Sequence, residues 1–485
     1  MSLYIILIGG FLDLRIYKHP ILEFKRGREI YFYFNGIRVK SFSNESIAAA
    51  LYASGFKTIT KSFKYGRPRG VYCMIGKCST CMLRVNGVPN VRTCITPVEE
   101  NMIIESQEGY GDIPSKIYEG RGVWRRINID VVIVGGGPAG LSAAIYAAKV
   151  GAKILLIDEN YRLGGQLIKQ THKFFGSKEL YSGIRGIEIA EILEKEVRKL
   201  SNINVMLEAK VFGVYEGKVL GVLRRNEIIE VKPKAIIFAT GASENFLVFE
   251  NNDLPGVMGA GAAQTLMNVY GIKPGNNVLM IGAGNVGLIV SYQMIQAGIN
   301  VKAIVEAMPK IGGYIVHAAK VRRYDVPILT SHTIEKALGR DHVEGATIVE
   351  IDRGWNKIPG TEKNIEVDTI CLAVGLNPSS QLLFQAGCKM KYVPELGGEV
   401  ALRDRNLETD VDGIFVAGDL SGIEEASTAI LEGRIAGISA AMKVMGRSGK
   451  WVEERERMKK MLWDIRSGSF STKVVKGLEK VLIDR

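Results

Sequence analysis

Two glycine runs in this 485-residue chain have the composition and spacing to hold a nucleotide. The first is Gly135-Gly136-Gly137-Pro138-Ala139-Gly140, between an apolar run at 131–134 and a stretch of small helix-forming residues. In that context Gly135 serves the tight turn. Gly137 lets the backbone approach a pyrophosphate, and Gly140 lets helix and strand pack closely. Pro138 and Ala139 open the helix, whose N-terminal N–H groups and partial positive charge face the phosphates. Asp158 ends the next apolar strand, 18 residues after Gly140. A carboxylate there can accept from ribose hydroxyls, and Glu159 competes for that role. The second run is Gly282-Ala283-Gly284-Asn285-Val286-Gly287, with Glu306 at the end of the following strand. An acid at that point favours a ribose diol over a 2′-phosphate, hence NAD over NADP. The motif reports the folded module more surely than its occupancy.

Three further pairs belong with the first site. Gly165 and Gln166 follow its second strand, Thr240 and Gly241 end a later buried strand at 235–238, and Gly418-Asp419 follows the run 413–417. In a two-module flavoprotein an Asp at 419 can accept from the ribityl chain, while the next helix aims its N-terminus at the pyrophosphate.

Four of the six cysteines crowd into residues 73–94. Cys73, Cys78, Cys81 and Cys94 have the spacing C-x4-C-x2-C-x12-C, and the first three match the plant-type [2Fe–2S] loop. Gly76 lies inside it, where a loop wrapping a cluster needs positive φ and inward N–H groups. Two alternatives stay open: zinc, which four thiolates also suit, and a loop kept without metal. The crowding reads as metal-ligand spacing rather than a disulfide framework, which implies a reducing, cytoplasmic compartment. Cys371 and Cys388 read as small core residues. No cysteine pair follows Gly164-Gly165-Gln166, so dithiol exchange is not expected. His172 and His317 read as packing or surface histidines. No catalytic residue is assigned.

The elements that must position these residues follow from periodicity. Glu29–Phe34 and Ile37–Phe42 flank Asn35-Gly36, the strongest hairpin turn signal. Ser43 is the expected cap of a helix running to Ser54, with Gly55 as its stop. Hairpin plus helix is how a β-grasp domain begins. From Asp130 the pattern is βαβ, so a parallel sheet is expected. Residues 205–231 suggest an antiparallel meander. The series recurs with strands at 278–281, 301–305 and 369–373. An Ala/Gly-rich helix at 425–445 and a charged amphipathic helix at 451–465 close the chain.

The fold class expected is α/β: a glutathione-reductase-like body of two dinucleotide-binding domains behind an N-terminal β-grasp [2Fe–2S] ferredoxin-like domain. The expected divisions are an extension at 1–24, the ferredoxin-like domain at 25–110 and a linker at 111–128. The first dinucleotide domain spans 129–254 and resumes at 369–445, the second spans 255–368, and a helical tail spans 446–485.

The net charge of +12 is uneven. Residues 1–128 hold 19 Lys and Arg against 10 Asp and Glu, and residues 446–485 hold 11 against 6. No nucleic-acid motif accompanies these basic ends, so they read as a docking face for an acidic partner or as solvated surface. No apolar stretch reaches 18 residues, so no membrane span is expected. The apolar run 3–12 is too short to cross a bilayer and lacks signal-peptide flanks.

The run Ser62-Phe63-Lys64-Tyr65-Gly66-Arg67-Pro68-Arg69-Gly70 resembles the one in α subunits of heterotetrameric sarcosine oxidase. The cysteine loop ending Thr93-Cys94-Ile95-Thr96-Pro97 resembles the small subunits of hydrogen cyanide synthase and opine oxidase. The body with Gly164-Gly165-Gln166 is similar to their larger subunits. The combination, over roughly residues 25–445, is similar to the α subunit of archaeal dye-linked L-proline dehydrogenase. The resemblance implies a hetero-oligomer whose FAD-containing β subunit, of the glycine/sarcosine oxidase type, oxidises the small-molecule amino acid. It also implies FMN at a subunit interface, and FAD or an adenine nucleotide such as ATP or NAD in the first site. Lys64, Arg67 and Arg69 then have two readings: contact with a partner or flavin phosphate, or neutralisation of the anionic cluster loop. Sarcosine oxidase α subunits continue into a folate-linked domain and related larger subunits carry a C-terminal cysteine-rich segment. Neither is expected here. A self-contained NADH-dependent reductase and a nucleotide-binding scaffold are the competing expectations.

Overall fold

The structure is a computed structural model that describes residues 13–107, 109–111, 123–225, 227–446, 449–468 and 471–484. The apolar run 3–12 and most of the expected linker, 112–122, lie outside the described residues. The chain divides into two compact units. One comprises Met1–Tyr118 with Glu244–Gly375, the other Glu119–Ser243 with Leu376–Arg485.

In the first unit the expected hairpin forms with Phe34 opposite Ile37 across Asn35-Gly36. Both turn residues have positive φ, 49° and 80°. The hairpin belongs to a five-stranded sheet with Met82–Val85, Val88–Arg92 and Ile103–Glu105. Its first strand runs parallel to Ile103–Glu105, which gives the β-grasp arrangement. The helix Ile47–Ala53 packs entirely buried beneath it. Its N-cap is Ser46, not Ser43: the Ser46 hydroxyl accepts from Ala49 N at 3.3 Å. Residues 43–45 instead form a turn, because buried Glu45 is drawn to Arg15, whose Nε and Nη2 each donate at 2.7 Å.

The same unit carries a parallel sheet of Val257–Gly259, Thr369–Leu372, Asn277–Ile281, Asn300–Glu306 and Ile328–Thr330. The strand Thr369–Leu372 lies inside this sheet, hydrogen-bonded to Asn277–Ile281. The expected boundary between 368 and 369 is therefore corrected: the second module runs on through Gly375. The β-grasp part and this module share one apolar core, joining for example Ile47, Leu51 and Ile104 to Met258, Leu266 and Met280. Tyr52 donates to Pro274 O at 2.5 Å across that core.

In the second unit the sheet order places Ile203–Met206, Ile154–Ile157, Val123–Val134 and Glu227–Phe238 side by side and parallel. The C-terminal half of Glu227–Phe238 pairs with Ile414–Val416, and its N-terminal half enters the expected antiparallel meander with Val219–Arg224 and Ala209–Tyr215. The first strand thus starts at 123, and Arg125-Arg126, expected in a linker, lies inside it with Arg126 paired to Glu230 at 3.0 Å. The helix Ala426–Met445 crosses Pro138–Val150 where Gly433 and Gly437 face Ala139 O and Ala143 O; a Cβ at either would sit 2.1 or 2.4 Å away. Within the expected helical tail, Thr472–Leu478 forms a helix whose Leu478 packs with Val393, Leu396 and Val481.

Candidate functional site

In the second unit the first glycine loop follows Val134 and delivers the chain into Pro138–Val150. Gly135 has φ 108° and donates to Ile157 O at 2.8 Å. A Cβ there would strike Ala239 O at 2.2 Å, and one on Gly140 would strike Gly135 O at 1.8 Å. Only glycine fits either position. Gly137 caps the helix, and no side chain occupies its N-terminus, so the first amides are left for an anionic ligand. Gly165 approaches Gly137 so closely that a Cβ would meet its Cα at 2.6 Å. Gly164 donates to Gly136 O at 2.9 Å. Gln166 is exposed at the start of the short turn that follows.

Asp158 is buried beneath this loop. Its Oδ2 accepts from Gly136 N at 2.6 Å and its Oδ1 from Asn160 N at 2.8 Å. Burial raises its pKa, and these N–H donors oppose the rise. Asp158 thus braces the turn, and Glu159 is the more exposed of the two acids. The Thr240 hydroxyl is turned onto Ser379 O at 3.0 Å, and Gly241 O accepts from Ser379 N at 2.9 Å, which pins the turn after Phe238.

Gly418 lies against the same helix end: a Cβ on it would be 2.9 Å from Ala139 Cβ. Asp419 keeps an accessible edge. Its carboxyl is nevertheless enclosed enough for burial to drive its pKa to about 7. Glu432 and Glu424 push the same way, and a Glu424 backbone hydrogen bond opposes them. The turn is held from behind. Glu432 Oε2 accepts from Gly418 N at 2.9 Å and from the Ser421 hydroxyl, and Glu432 Oε1 accepts from Arg466 Nη2 at 2.6 Å. Arg466 also binds Glu424, and all three of these charged side chains are nearly inaccessible. Sequence reasoning missed this set. The available signal was Glu432 standing as a charge inside the Ala/Gly-rich helix.

The second glycine loop, in the first unit, repeats the first nearly atom for atom. Gly282 has φ 105° and donates to Val305 O at 2.7 Å. Ala283 N donates to Glu306 Oε2 at 2.7 Å, and Met308 N to Oε1 at 2.9 Å. Gly287 approaches Gly282 O as Gly140 approaches Gly135 O. Gly284 caps Asn285–Gln296 without a side-chain partner, and a Cβ there would meet open space. Gly313 donates to Ala283 O at 3.0 Å, as Gly164 does to Gly136 O. Gly312-Gly313 was not singled out from the sequence, although it repeats Gly164-Gly165 at a similar interval.

The cysteine loop lies in the first unit. Cys73, Cys81 and Cys94 are buried and Cys78 is half-buried. Met74, Gly76 and Ser79 all have positive φ, which coils the backbone around the thiols. Gly76 N donates to Cys94 Sγ at 3.2 Å, and Lys77 N and Cys78 N donate to Cys73 Sγ at 3.4 Å each. Such donors stabilise thiolate over thiol. Among the described residues no group of three or more His, Cys, Asp or Glu is already gathered as a ligand set for one ion. Each of the four thiols nonetheless shifts the pKa of a neighbouring one. Cys78 and Cys94 donate to Cys73 and lower its pKa, while their own rise. Four cysteines at the spacing C-x4-C-x2-C-x12-C in one coiled loop fit a [2Fe–2S] group.

Tyr72, beside Cys73, ties this loop to the second module. Its ring stacks on Phe246 at 4.1 Å between centroids and its hydroxyl donates to Asn245 O at 2.6 Å. Cys371 and Cys388 are buried singly, as expected. His317 is buried on the helix Ile315–Arg322, and burial lowers its pKa. His172 stacks on Phe174.

Comparison with known proteins follows the same division. The family model for pyridine nucleotide-disulphide oxidoreductases matches residues 129–433, and that for the 2Fe-2S iron-sulfur cluster binding domain matches residues 27–109. The alpha chain of sarcosine oxidase from Rhizobium meliloti (strain 1021) is 24% identical over 468 aligned residues, covering 83% of this chain and 45% of that protein. An opine oxidase subunit of Agrobacterium tumefaciens (strain Ach5) is 28% identical over 340, covering 64% of this chain and 65% of that one. The chain therefore spans about half the length of the sarcosine oxidase relative and two thirds of the opine oxidase one. The crystal structure of L-proline dehydrogenase from P. horikoshii is similar with a TM-score of 0.68 at 26% identity, over 91% of this chain and 79% of that one. T. acidophilum thioredoxin reductase, at 23% identity and a TM-score of 0.53 over 66% of this chain and 99% of its own, shares the fold.

Proposed function

The chain belongs to the pyridine nucleotide-disulphide oxidoreductase family, and from that premise we propose that it is the electron-transfer α subunit of a heteromeric amino-acid dehydrogenase. The substrate proposed is L-proline, oxidised on a flavin-bearing β subunit of the glycine/sarcosine oxidase type. The observation that carries this reading is one chain holding a [2Fe–2S]-type cysteine loop and two nucleotide loops, with no cysteine pair after Gly164-Gly165-Gln166 to exchange with a disulfide. Similarity over 91% of the chain to an L-proline dehydrogenase supports the substrate. The other relatives are named as subunits, which supports a heteromer.

When bound, a flavin supplies two-electron chemistry with amines and single-electron transfer to an iron–sulfur cluster. The amides of Ala139 and Gly140 at the head of Pro138–Val150 would hold the pyrophosphate of FAD or of an adenine nucleotide such as ATP or NAD. Asp158 keeps the loop in register through Gly136 N. Asp419, with a pKa of about 7, can hold or release a proton at its carboxyl at neutral pH. Cys73, Cys78, Cys81 and Cys94 would ligate the cluster, with Gly76 N and Lys77 N offsetting the negative charge on sulfur. An FMN at a subunit interface and a cytoplasmic setting belong to the same proposal. Among the described residues no helix is long and apolar enough to cross a membrane.

The test is to purify the chain with its flavoprotein partner and supply L-proline with an artificial dye. Dye reduction by L-proline and not by NADH is expected. Reduction by sarcosine or glycine alone overturns the substrate, and NADH-driven reduction by the isolated chain overturns the subunit role. That last outcome has a structural basis in the complete second loop with Glu306.

A further inference from the structure

The segment that leads into the cysteine loop ends on the surface, and its chemistry is unusual. Thr60–Lys61 and Pro68–Arg69 form a short antiparallel ladder. The tip between them is closed by Ser62 N to Arg67 O at 2.7 Å, Arg67 N to Ser62 Oγ at 2.9 Å and Gly66 N to Ser62 O at 3.0 Å. That rigid tip holds Phe63 61% and Tyr65 73% exposed, and Tyr110, 80% exposed, packs on Phe63 at 4.2 Å. Three aromatic side chains left in water together cost free energy that burial against a partner recovers.

The hairpin's own charge has one sign. Between Glu45 and Glu99 the chain carries Lys and Arg residues and no Asp or Glu. Lys61 and Lys64 are exposed on this hairpin. Arg67 is the exception, bound to Asp253 at 2.7 Å and to Asn251 at 3.0 Å, so it fixes the hairpin rather than attracting a partner.

The hairpin also adjoins the most accessible cysteine. The Thr60 hydroxyl donates to Thr80 O at 3.0 Å, and the Thr80 hydroxyl is 3.2 Å from Cys78 Sγ. The base of the hairpin is thus tied to the segment that carries the half-buried sulfur of the set.

We propose that this aromatic and basic hairpin is the docking surface for an acidic one-electron carrier protein, which takes an electron from the reduced cluster. One electron leaves the cluster, which is oxidised, and the carrier is reduced by one electron. Small, transient electron-transfer contacts of this kind rely on steering charge more than on area. The proposal rests on the cysteines holding a cluster.

The experiment uses the full chain with its partner, reduced anaerobically and mixed in a stopped-flow device with oxidised rubredoxin, an acidic one-electron carrier. Duroquinone, a neutral oxidant, is the control. The rubredoxin rate is expected to fall about tenfold as salt rises from low ionic strength to half-molar, since screening removes steering. It is expected to fall about tenfold in the Lys61→Glu, Lys64→Glu double variant, with the duroquinone rate unchanged. A rubredoxin rate indifferent to both salt and variant overturns the proposal. So does protection of Lys61 and Lys64 from acetylation in the complex, which would mean that a neighbouring chain of the complex covers the hairpin. Absence of cluster absorbance before mixing refutes the cluster reading itself.

Discussion

At the residue scale, two acids at strand ends brace two glycine loops, and a third acid carries the unusual proton. Asp419 has a pKa of about 7 against about 4 in an unfolded chain. The fold therefore favours its protonated form. Its contribution is fully present below the unfolded value and is lost as pH rises from about 4 to about 7. Denaturant midpoints at about pH 4.5 and 7.5 should show the native chain losing more stability over that interval than Asp419→Asn, whose side chain cannot titrate. Equal losses would mean that Asp419 ionises normally. The sequence revealed the acids at 158, 306 and 419 because their places after strands are fixed by spacing. It did not reveal that Asp158 and Glu306 turn back onto Gly136 N and Ala283 N. A side-chain rotamer is set by what surrounds it, which spacing does not encode.

At the element scale, the two strand–loop–helix modules are duplicates that differ in what surrounds them. Gly140→Ala places a methyl 1.8 Å from Gly135 O, and Gly287→Ala places one 2.0 Å from Gly282 O. Each must push a helix off its strand, at about 1–3 kcal/mol or more. Both variants should melt earlier by similar amounts. Only Gly140→Ala should lose the nucleotide released on denaturation, measured by absorbance of the supernatant. Loss in Gly287→Ala alone would assign the bound nucleotide to the second module. The modules were legible because apolar strand, glycine turn and acid recur in order. The membership of Thr369–Leu372 was legible only in part: its place in the recurring series pointed to the second module, the division at 368 gave it to the first, and its pairing with Asn277–Ile281 decides. Nor was the cap at Ser46. Ser43 and Ser46 are both good capping residues, and the burial of Glu45 against Arg15 chose between them.

At the scale of the whole molecule, the cysteine loop and the second module form one unit, while the first module and the C-terminal helices form the other. Linear reading separated the ferredoxin-like segment from both modules. The contacts that join it to the second, such as Tyr52 with Pro274, lie 222 residues apart and leave no local trace in sequence. A chain that relays electrons for a partner does not draw them from NADH by itself. The measurement is anaerobic: purify the chain alone, record its visible spectrum, and add NADH. A relay should show iron–sulfur absorbance that stays oxidised over the time of turnover with the partner present. Bleaching within that time would make the chain a reductase in its own right and contradict the relay.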